Sequence, residues 1–138
     1  MKICFISHTS NLGGAERSLL YLLESIKKEK GLEIFVVVPS EGPMIKYLRE
    51  MKINYLIHPF KWWTIKRNNQ RRSVKEHFVE HLRTAFDLKQ KLKNNFPDLI
   101  VSNTSVFCVG ALMANILLWE QRQVYLYMSS ALLIAHLH

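Results

Sequence analysis

The residues best suited to bind a ligand form a loop after the first short apolar run of the chain. This loop reads His8-Thr9-Ser10-Asn11-Leu12-Gly13-Gly14-Ala15-Glu16-Arg17. Two adjacent glycines at the start of a helix let the backbone approach a ligand and leave N–H groups pointing at it, and the helix dipole attracts a phosphate or a hydroxyl. The loop is therefore a candidate binding site. The alternative is a tight turn between a strand and a helix.

The spacing of these glycines argues against two familiar nucleotide-binding motifs. Gly13 is followed directly by Gly14, and Ser18 stands where a G-x-G-x-x-G motif has its last glycine. The loop also lacks the Lys-Ser or Lys-Thr ending of a P-loop. We therefore expect neither a dinucleotide-binding site nor an NTPase site.

Histidines supply two further candidate sites. His8 ends the first predicted strand, where its ring either contacts a substrate hydroxyl or supports the local structure. His77, Glu80 and His81 match the pattern H-x-x-E-H, in which two imidazoles one helical turn apart can share a metal ion. Such a match arises often by chance on a charged amphipathic helix, and a third ligand has to come from elsewhere. We expect no metal site.

A run of basic and aromatic residues is suited to binding a partner. Six cations and no acid lie between Lys61 and Lys75, whereas the rest of a chain with net charge +8 is nearly neutral. Aromatic rings among cations suit an anionic membrane surface. Nucleic acid is a competing partner, and a solvated loop whose tryptophans pack on the domain is the plain alternative. The residues leave the membrane and the solvated loop open as alternatives, and we expect no nucleic acid. The residues of this membrane patch are Lys61, Trp62, Trp63, Lys66, Arg67, Arg71 and Arg72.

The composition is that of an ordinary globular protein. The 138 residues, 49% hydrophobic and 22% charged, fit a single domain. Cys4 and Cys108 each lie in an apolar run, which is typical of buried free thiols in a reducing compartment. The uncharged run from Leu99 to Trp119 is long enough to cross a bilayer. Polar residues at 102–105 interrupt it, so we interpret it as a strand followed by a helix.

The apolar pattern alternates between strand and helix along the chain. Strands are predicted at 2–7, 33–38, 53–57, 99–102 and 124–128, and helices at 15–30, 43–51, 74–95 and 104–118. On the long helix at 74–95, the predicted inner stripe is Phe78, Leu82, Ala85, Leu92 and Phe96. Alternation of this kind favours right-handed crossovers. The predicted fold class is α/β, a Rossmann-like parallel sheet with helices on both faces.

Three stretches of the sequence resemble one known family. Gly-Gly-Ala-Glu-Arg and Ser-Leu-Leu-Tyr-Leu-Leu occupy 13–23, Pro-Ser-Glu-Gly-Pro occupies 39–43, and Phe-Pro-Asp-Leu-Ile-Val-Ser-Asn-Thr-Ser occupies 96–105. In this order they resemble the amino-terminal domain of GT-B fold glycosyltransferases, most closely the retaining enzymes of family 4. The resemblance covers residues 1 to about 118.

The resemblance implies one lobe of a GT-B fold, in which this domain holds the acceptor and a second Rossmann-like domain binds the nucleotide sugar. Gly13 and Gly14 would meet the acceptor or the donor phosphates through backbone N–H groups. No residue is assigned a catalytic role. The expected substrate-binding residues are His8, Gly13, Gly14, Glu16, Ser102, Asn103 and Thr104.

The expected function is transfer of a sugar from a nucleotide sugar to a glycan or lipid-linked acceptor, with retention and without a cofactor, in polysaccharide or lipopolysaccharide biosynthesis. We expect a cytoplasmic location, peripheral on the inner face of the membrane. Residues 1–138 form a single domain in this interpretation, truncated at its C-terminal end and inactive alone, because no donor-binding half with its paired glutamates follows. One alternative is a non-catalytic lobe that recruits a separate donor-binding chain to the membrane. Another is an unrelated small α/β binding domain.

Overall fold

The computed structural model describes residues 1–60, 74–93, 96–103, 112, 116 and 125–128. The membrane patch and Thr104 lie outside these residues. The strands are β1 (Lys2–Ile6), β2 (Glu33–Val38), β3 (Asn54–Ile57), β4 (Leu99–Ser102) and β5 (Tyr125–Met128). The helices with described bounds are α1 (Gly14–Ile26), α2 (Pro43–Glu50) and α3 (Val74–Lys91). The helix predicted at 104–118 is described at Leu112 and Ile116, which are both helical.

All five strands pair in parallel in one sheet with the order β3-β2-β1-β4-β5. Ile6 at the end of β1 lies opposite Val37 of β2 on one side and Ser102 of β4 on the other. The chain runs outward from β1 to β3 and then crosses back to β4, so the strand order reverses between β1 and β4. Open α/β sheets bind ligands at the carboxyl ends of the strands at such a reversal.

Helices α1 and α2 cover one face of the sheet. Because side chains alternate along a strand, Ile3 and Phe5 of β1 point to this face. The buried residues of the face are Ile3, Phe5, Leu19, Leu20, Leu23, Ile34, Val36, Val38, Met44, Ile45, Leu48, Ile53 and Val101. These side chains join both helices to the sheet in one apolar cluster.

Helix α3 packs on the opposite face, together with Leu112 and Ile116. The buried residues there are Cys4, Ile6, Phe35, Val37, Ala85, Leu88, Leu92 and Ile100. Helices therefore lie on both faces of the parallel sheet, and the predicted fold class is confirmed. Burial raises the pKa of the Cys4 thiol, as expected for an inert structural cysteine. In the described part of the chain, no helix is both long and apolar enough to cross a bilayer.

The predicted inner stripe of α3 is partly wrong. Ala85 and Leu92 are buried as expected, but Phe78 is 45% exposed, and His81 and Leu88 occupy inner positions. The first α3 side chain in the buried apolar cluster is that of Ala85. Phe78 lies about two helical turns before it and outside the cluster. The amino-terminal part of α3 therefore presents apolar side chains to solvent.

Candidate functional site

The carboxyl ends of β1 and β4 lie side by side where the strand order reverses. Ser102 pairs with Ile6, and the backbone N–H of Asn103 donates to the carbonyl of Ile6 at 3.0 Å. Both polar residues are buried, and within the described residues the Ser102 hydroxyl has no hydrogen-bond partner. The fold thus brings Ser102 and Asn103 to the edge from which the glycine loop (residues 7–13) departs.

Ser10 fastens the glycine loop to the loop after β2. Its hydroxyl donates to the carbonyl of Glu41 at 3.0 Å and lies 2.9 Å from the Ser40 hydroxyl, and its carbonyl accepts from the N–H of Met44 at 3.0 Å. Gly42 permits this contact, since a Cβ there would lie 2.6 Å from Ser10 Oγ. Three hydrogen bonds therefore join the two loops at the strand ends.

Gly13 and Gly14 form the exposed start of α1. Gly13 is the N-cap and no side chain caps the helix, while the N–H of Arg17 is the donor to the Gly13 carbonyl, at 3.0 Å. The preceding N–H groups of the first turn have no partner within the helix and point outward. A Cβ added at Gly14 would meet nothing within 4 Å. The space beside Gly14 is therefore open to a ligand, whereas at Gly13 a Cβ would lie 2.7 Å from Oε2 of Glu16.

Glu16 buries its carboxylate beside this same turn. The residue is 2% exposed, and its Oε1 lies 3.1 Å from Nδ1 of His8, a distance that fits an ion pair although the angles do not fit a hydrogen bond. The positive end of the α1 dipole favours a carboxylate at this position. Sequence reasoning assigned both residues to the site but missed their pairing. The signal was the acid three residues after the N-cap, which is typical of side chains that turn back toward a helix start.

His58 is a buried histidine that the sequence analysis did not single out. Its backbone N–H donates to the Val38 carbonyl, its Nε2 lies 3.2 Å from the Thr84 carbonyl, and Lys91 Nζ lies 3.1 Å from its Nδ1. Because the ammonium can only donate, Nδ1 accepts and Nε2 carries the proton given to Thr84. Burial lowers the pKa of His58, and Lys91 lowers it further. This neutral ring fastens the end of β3 to α3.

The pattern H-x-x-E-H lies on α3. Its His81 is 1% exposed and has the spacing of the buried Ala85, Leu88 and Leu92, whereas the side chain of His77 lies outside the described residues. Across the described ranges, no three His, Cys, Asp or Glu side chains are placed to share a metal ion.

Among known proteins, the chain is similar to solved structures of the same fold. No protein-family model matches the chain, and no curated protein matches it. WaaB, a lipopolysaccharide outer core galactosyltransferase, matches with a TM-score of 0.59 and 19% identity, over 91% of this chain and 32% of its own. Anabaena HepE in complex with UDP matches with a TM-score of 0.58 and 20% identity, over 91% of this chain and 29% of its own. The fold is that of a GT-B glycosyltransferase domain.

The chain spans about a third of the length of these two relatives in fold. A deacetylase of the teicoplanin biosynthesis pathway shares the fold too, with a TM-score of 0.59 and 11% identity, over 97% of this chain and 72% of its own. One scaffold thus serves different reactions, and the reaction has to be argued from the site.

Proposed function

We propose that this domain is the acceptor-side lobe of a glycosyltransferase and that a hydroxyl of the acceptor binds at the start of α1. The observation that carries the proposal is the open space in front of Gly14, at the edge where the strand order reverses. Ser102 and Asn103 border this edge, and His8 reaches it with a side chain that is 14% exposed.

The chemistry of the turn favours a hydroxyl over a phosphate. Free N–H groups at a helix start attract either ligand. However, the carboxyl group of Glu16 already occupies the space beside Gly13 at the positive end of the α1 dipole, which leaves less attraction there for an added anion. A sugar hydroxyl does not depend on that attraction and can accept from the N–H groups of the turn.

The donor in this proposal is a nucleotide sugar held by a second lobe. Two proteins of similar fold support this donor, since HepE was solved in complex with UDP and WaaB is named a galactosyltransferase. Transfer needs both substrates held in one geometry, so we propose that the 138-residue chain is inactive without that lobe. A retaining mechanism, a lipid-linked or glycan acceptor in polysaccharide or lipopolysaccharide assembly, and a location at the cytoplasmic face of the membrane complete the proposal.

A non-catalytic lobe is the second candidate function. Such a lobe would bring a separate donor-binding chain to the membrane. The exposed side chains of Phe78, Val79 and Phe86 on α3 favour it, because each is more than 40% exposed and all follow the membrane patch in sequence.

The variant Gly14→Val tests the acceptor site. Its side chain enters open space, so we expect the fold to survive and binding at the turn to weaken at least tenfold, about 1.4 kcal/mol. The measurement is titration of the chain with a panel of neutral and lipid-linked oligosaccharides, followed through the amide NMR signals of residues 13–15.

Two controls accompany this titration. Ser25→Val places the same side chain on the exposed surface of α1 near its other end, and it should bind like the wild type. Gly14→Ala should keep the melting temperature. The proposal would be contradicted if no oligosaccharide of the panel shifted the amide signals of residues 13–15. Equal affinity of Gly14→Val and the wild type would contradict it as well.

A further inference from the structure

We propose that a groove between α1 and α2 binds a neutral oligosaccharide, as a second contact for the acceptor away from the strand ends. The identity of this oligosaccharide as the acceptor rests on the proposed function, whereas the binding itself is tested separately. The groove has a volume of about 370 Å³, within the range of small-molecule sites. Its walls are formed by Arg17, Tyr21, Glu24 and Lys27 from α1 and by Tyr47 and Glu50 from α2.

Two exposed tyrosine rings are the first argument for a sugar. Tyr21 is 71% exposed and Tyr47 is 43% exposed. By contrast, Tyr55 is engaged by Arg49, whose Nε donates to its hydroxyl at 2.8 Å and whose guanidinium lies 5.7 Å from its ring centre. Throughout residues 1–60, Tyr21 and Tyr47 have no such side-chain partner. The C–H face of a pyranose packs on the negative face of an aromatic ring, so these free rings suit a sugar.

The balance of charges in the walls is the second argument. Arg17 and Lys27 face the groove with two positive charges, and Glu24 and Glu50 with two negative charges. A groove without net charge gives little attraction to a nucleotide or an acidic peptide. It does offer both donors and acceptors, which a polyhydroxylated neutral ligand uses together.

These charged groups are also available to a ligand. Within residues 1–60, Arg17, Glu24 and Lys27 form no ion pair, and the contact of Glu50 to Lys46 is long, at 4.0 Å. Contacts of that kind between exposed side chains contribute little to stability. A bound sugar therefore displaces no strong interaction of the protein.

The position of the groove connects it to the acceptor site. Leu12 of the glycine loop lines the groove, and Arg17 lies on the helical turn that begins at Gly13 and Gly14. An oligosaccharide whose terminal hydroxyl lies at this turn can therefore continue along the surface of α1 toward Tyr21 and Tyr47.

The test uses the full chain and neutral hexasaccharides of glucose, galactose, mannose or N-acetylglucosamine. We expect at least one to shift the NMR signals of Tyr21 and Tyr47, and we expect Tyr21→Ala and Tyr47→Ala each to weaken its binding roughly fivefold or more. Phe86→Ala is the matched control, an exposed aromatic residue on the opposite face, and should bind normally. Melting temperatures establish that the variants remain folded.

Three outcomes would overturn the proposal. The first is that no hexasaccharide shifts the signals of Tyr21 and Tyr47, and the second is that both alanine variants bind with wild-type affinity. The third is that the tyrosine signals shift only when the chain is diluted, which would make the groove an interface between two copies of the chain. The signals of residues 13–15 report the acceptor site independently. If a saccharide shifts the signals of residues 13–15 but not those of Tyr21 and Tyr47, only the proposal for the groove is refuted. If it shifts the tyrosine signals but not those of residues 13–15, only the proposed function is refuted.

Discussion

At the scale of single residues, His58 couples folding to pH. Burial holds its pKa below the ordinary value of 6.5, because a charged ring would lose water and would also face the ammonium of Lys91, 3.1 Å away. The hydrogen bond to Thr84 and the charge of Asp87 act in the opposite direction but do not prevail. The unfolded chain therefore binds a proton at His58 at a higher pH than the folded chain does.

We expect this difference to destabilise the folded protein as the pH falls through about 6.5. The free energy of unfolding of the wild type should fall more steeply from about pH 8 to pH 5 than that of His58→Asn, whose side chain does not titrate in this range. Urea unfolding at several pH values measures both slopes. Parallel curves for the two proteins would contradict the expectation.

The sequence predicts the location of site residues better than their partners. His8, Gly13 and Gly14 lie between the end of β1 and the first turn of α1, so the parallel sheet itself fixes the edge at which they lie. The pairing of His8 with Glu16 was signalled only by the acid three residues after the N-cap, whereas the contacts of His58 to Thr84 and Lys91 depend on side-chain directions between elements far apart in sequence. No local pattern of residues encodes those directions.

At the scale of secondary structure elements, the contact between two loops holds the strand ends in place. A Cβ at Gly42 would lie 2.7 Å from the carbonyl oxygen of Ser10. A backbone atom moves less easily than the end of a side chain, so Gly42→Ala should push the two loops apart.

We expect Gly42→Ala to lower the free energy of unfolding by about 1–3 kcal/mol, the usual range for an overpacked site. Urea unfolding of the variant measures the loss. Gly14→Ala provides the matched control because its Cβ meets nothing within 4 Å, and it should unfold like the wild type. An equal effect of the two substitutions would show that the contact with Ser10 is dispensable.

Helix α3 illustrates what periodicity can and cannot predict. The spacing of Ala85 and Leu92 identified the side of the helix that packs on the sheet. It could not identify how far the buried cluster extends along the helix, which is why Phe78 was expected inside and is 45% exposed. The strands and their parallel direction were predictable, because each run is short, apolar and separated from the next by a helix, whereas the order of the strands in the sheet was not predicted.

At the scale of the whole molecule, the two faces of the sheet carry different surfaces. The α1 and α2 face has the groove with Tyr21 and Tyr47, whereas the α3 face has the exposed Phe78, Val79 and Phe86. A membrane bound at the α3 face would leave the groove directed away from the lipid. Both surfaces could then act at the same time, one on the membrane and the other on a glycan.

This arrangement predicts binding of the chain to anionic lipid vesicles. In this prediction each cation of the membrane patch contributes on the order of 1 kcal/mol near an anionic surface, and added salt should weaken this electrostatic part of the binding by screening. Trp62→Ala with Trp63→Ala, or Phe78→Ala with Phe86→Ala, should reduce co-sedimentation with the vesicles even at low salt, because rings at headgroup depth are lost. Tyr21→Ala, an exposed ring on the other face, should bind normally. Equal partition onto neutral and anionic vesicles would remove the electrostatic basis of the prediction, and wild-type binding of Phe78→Ala with Phe86→Ala would exclude the α3 face from the contact.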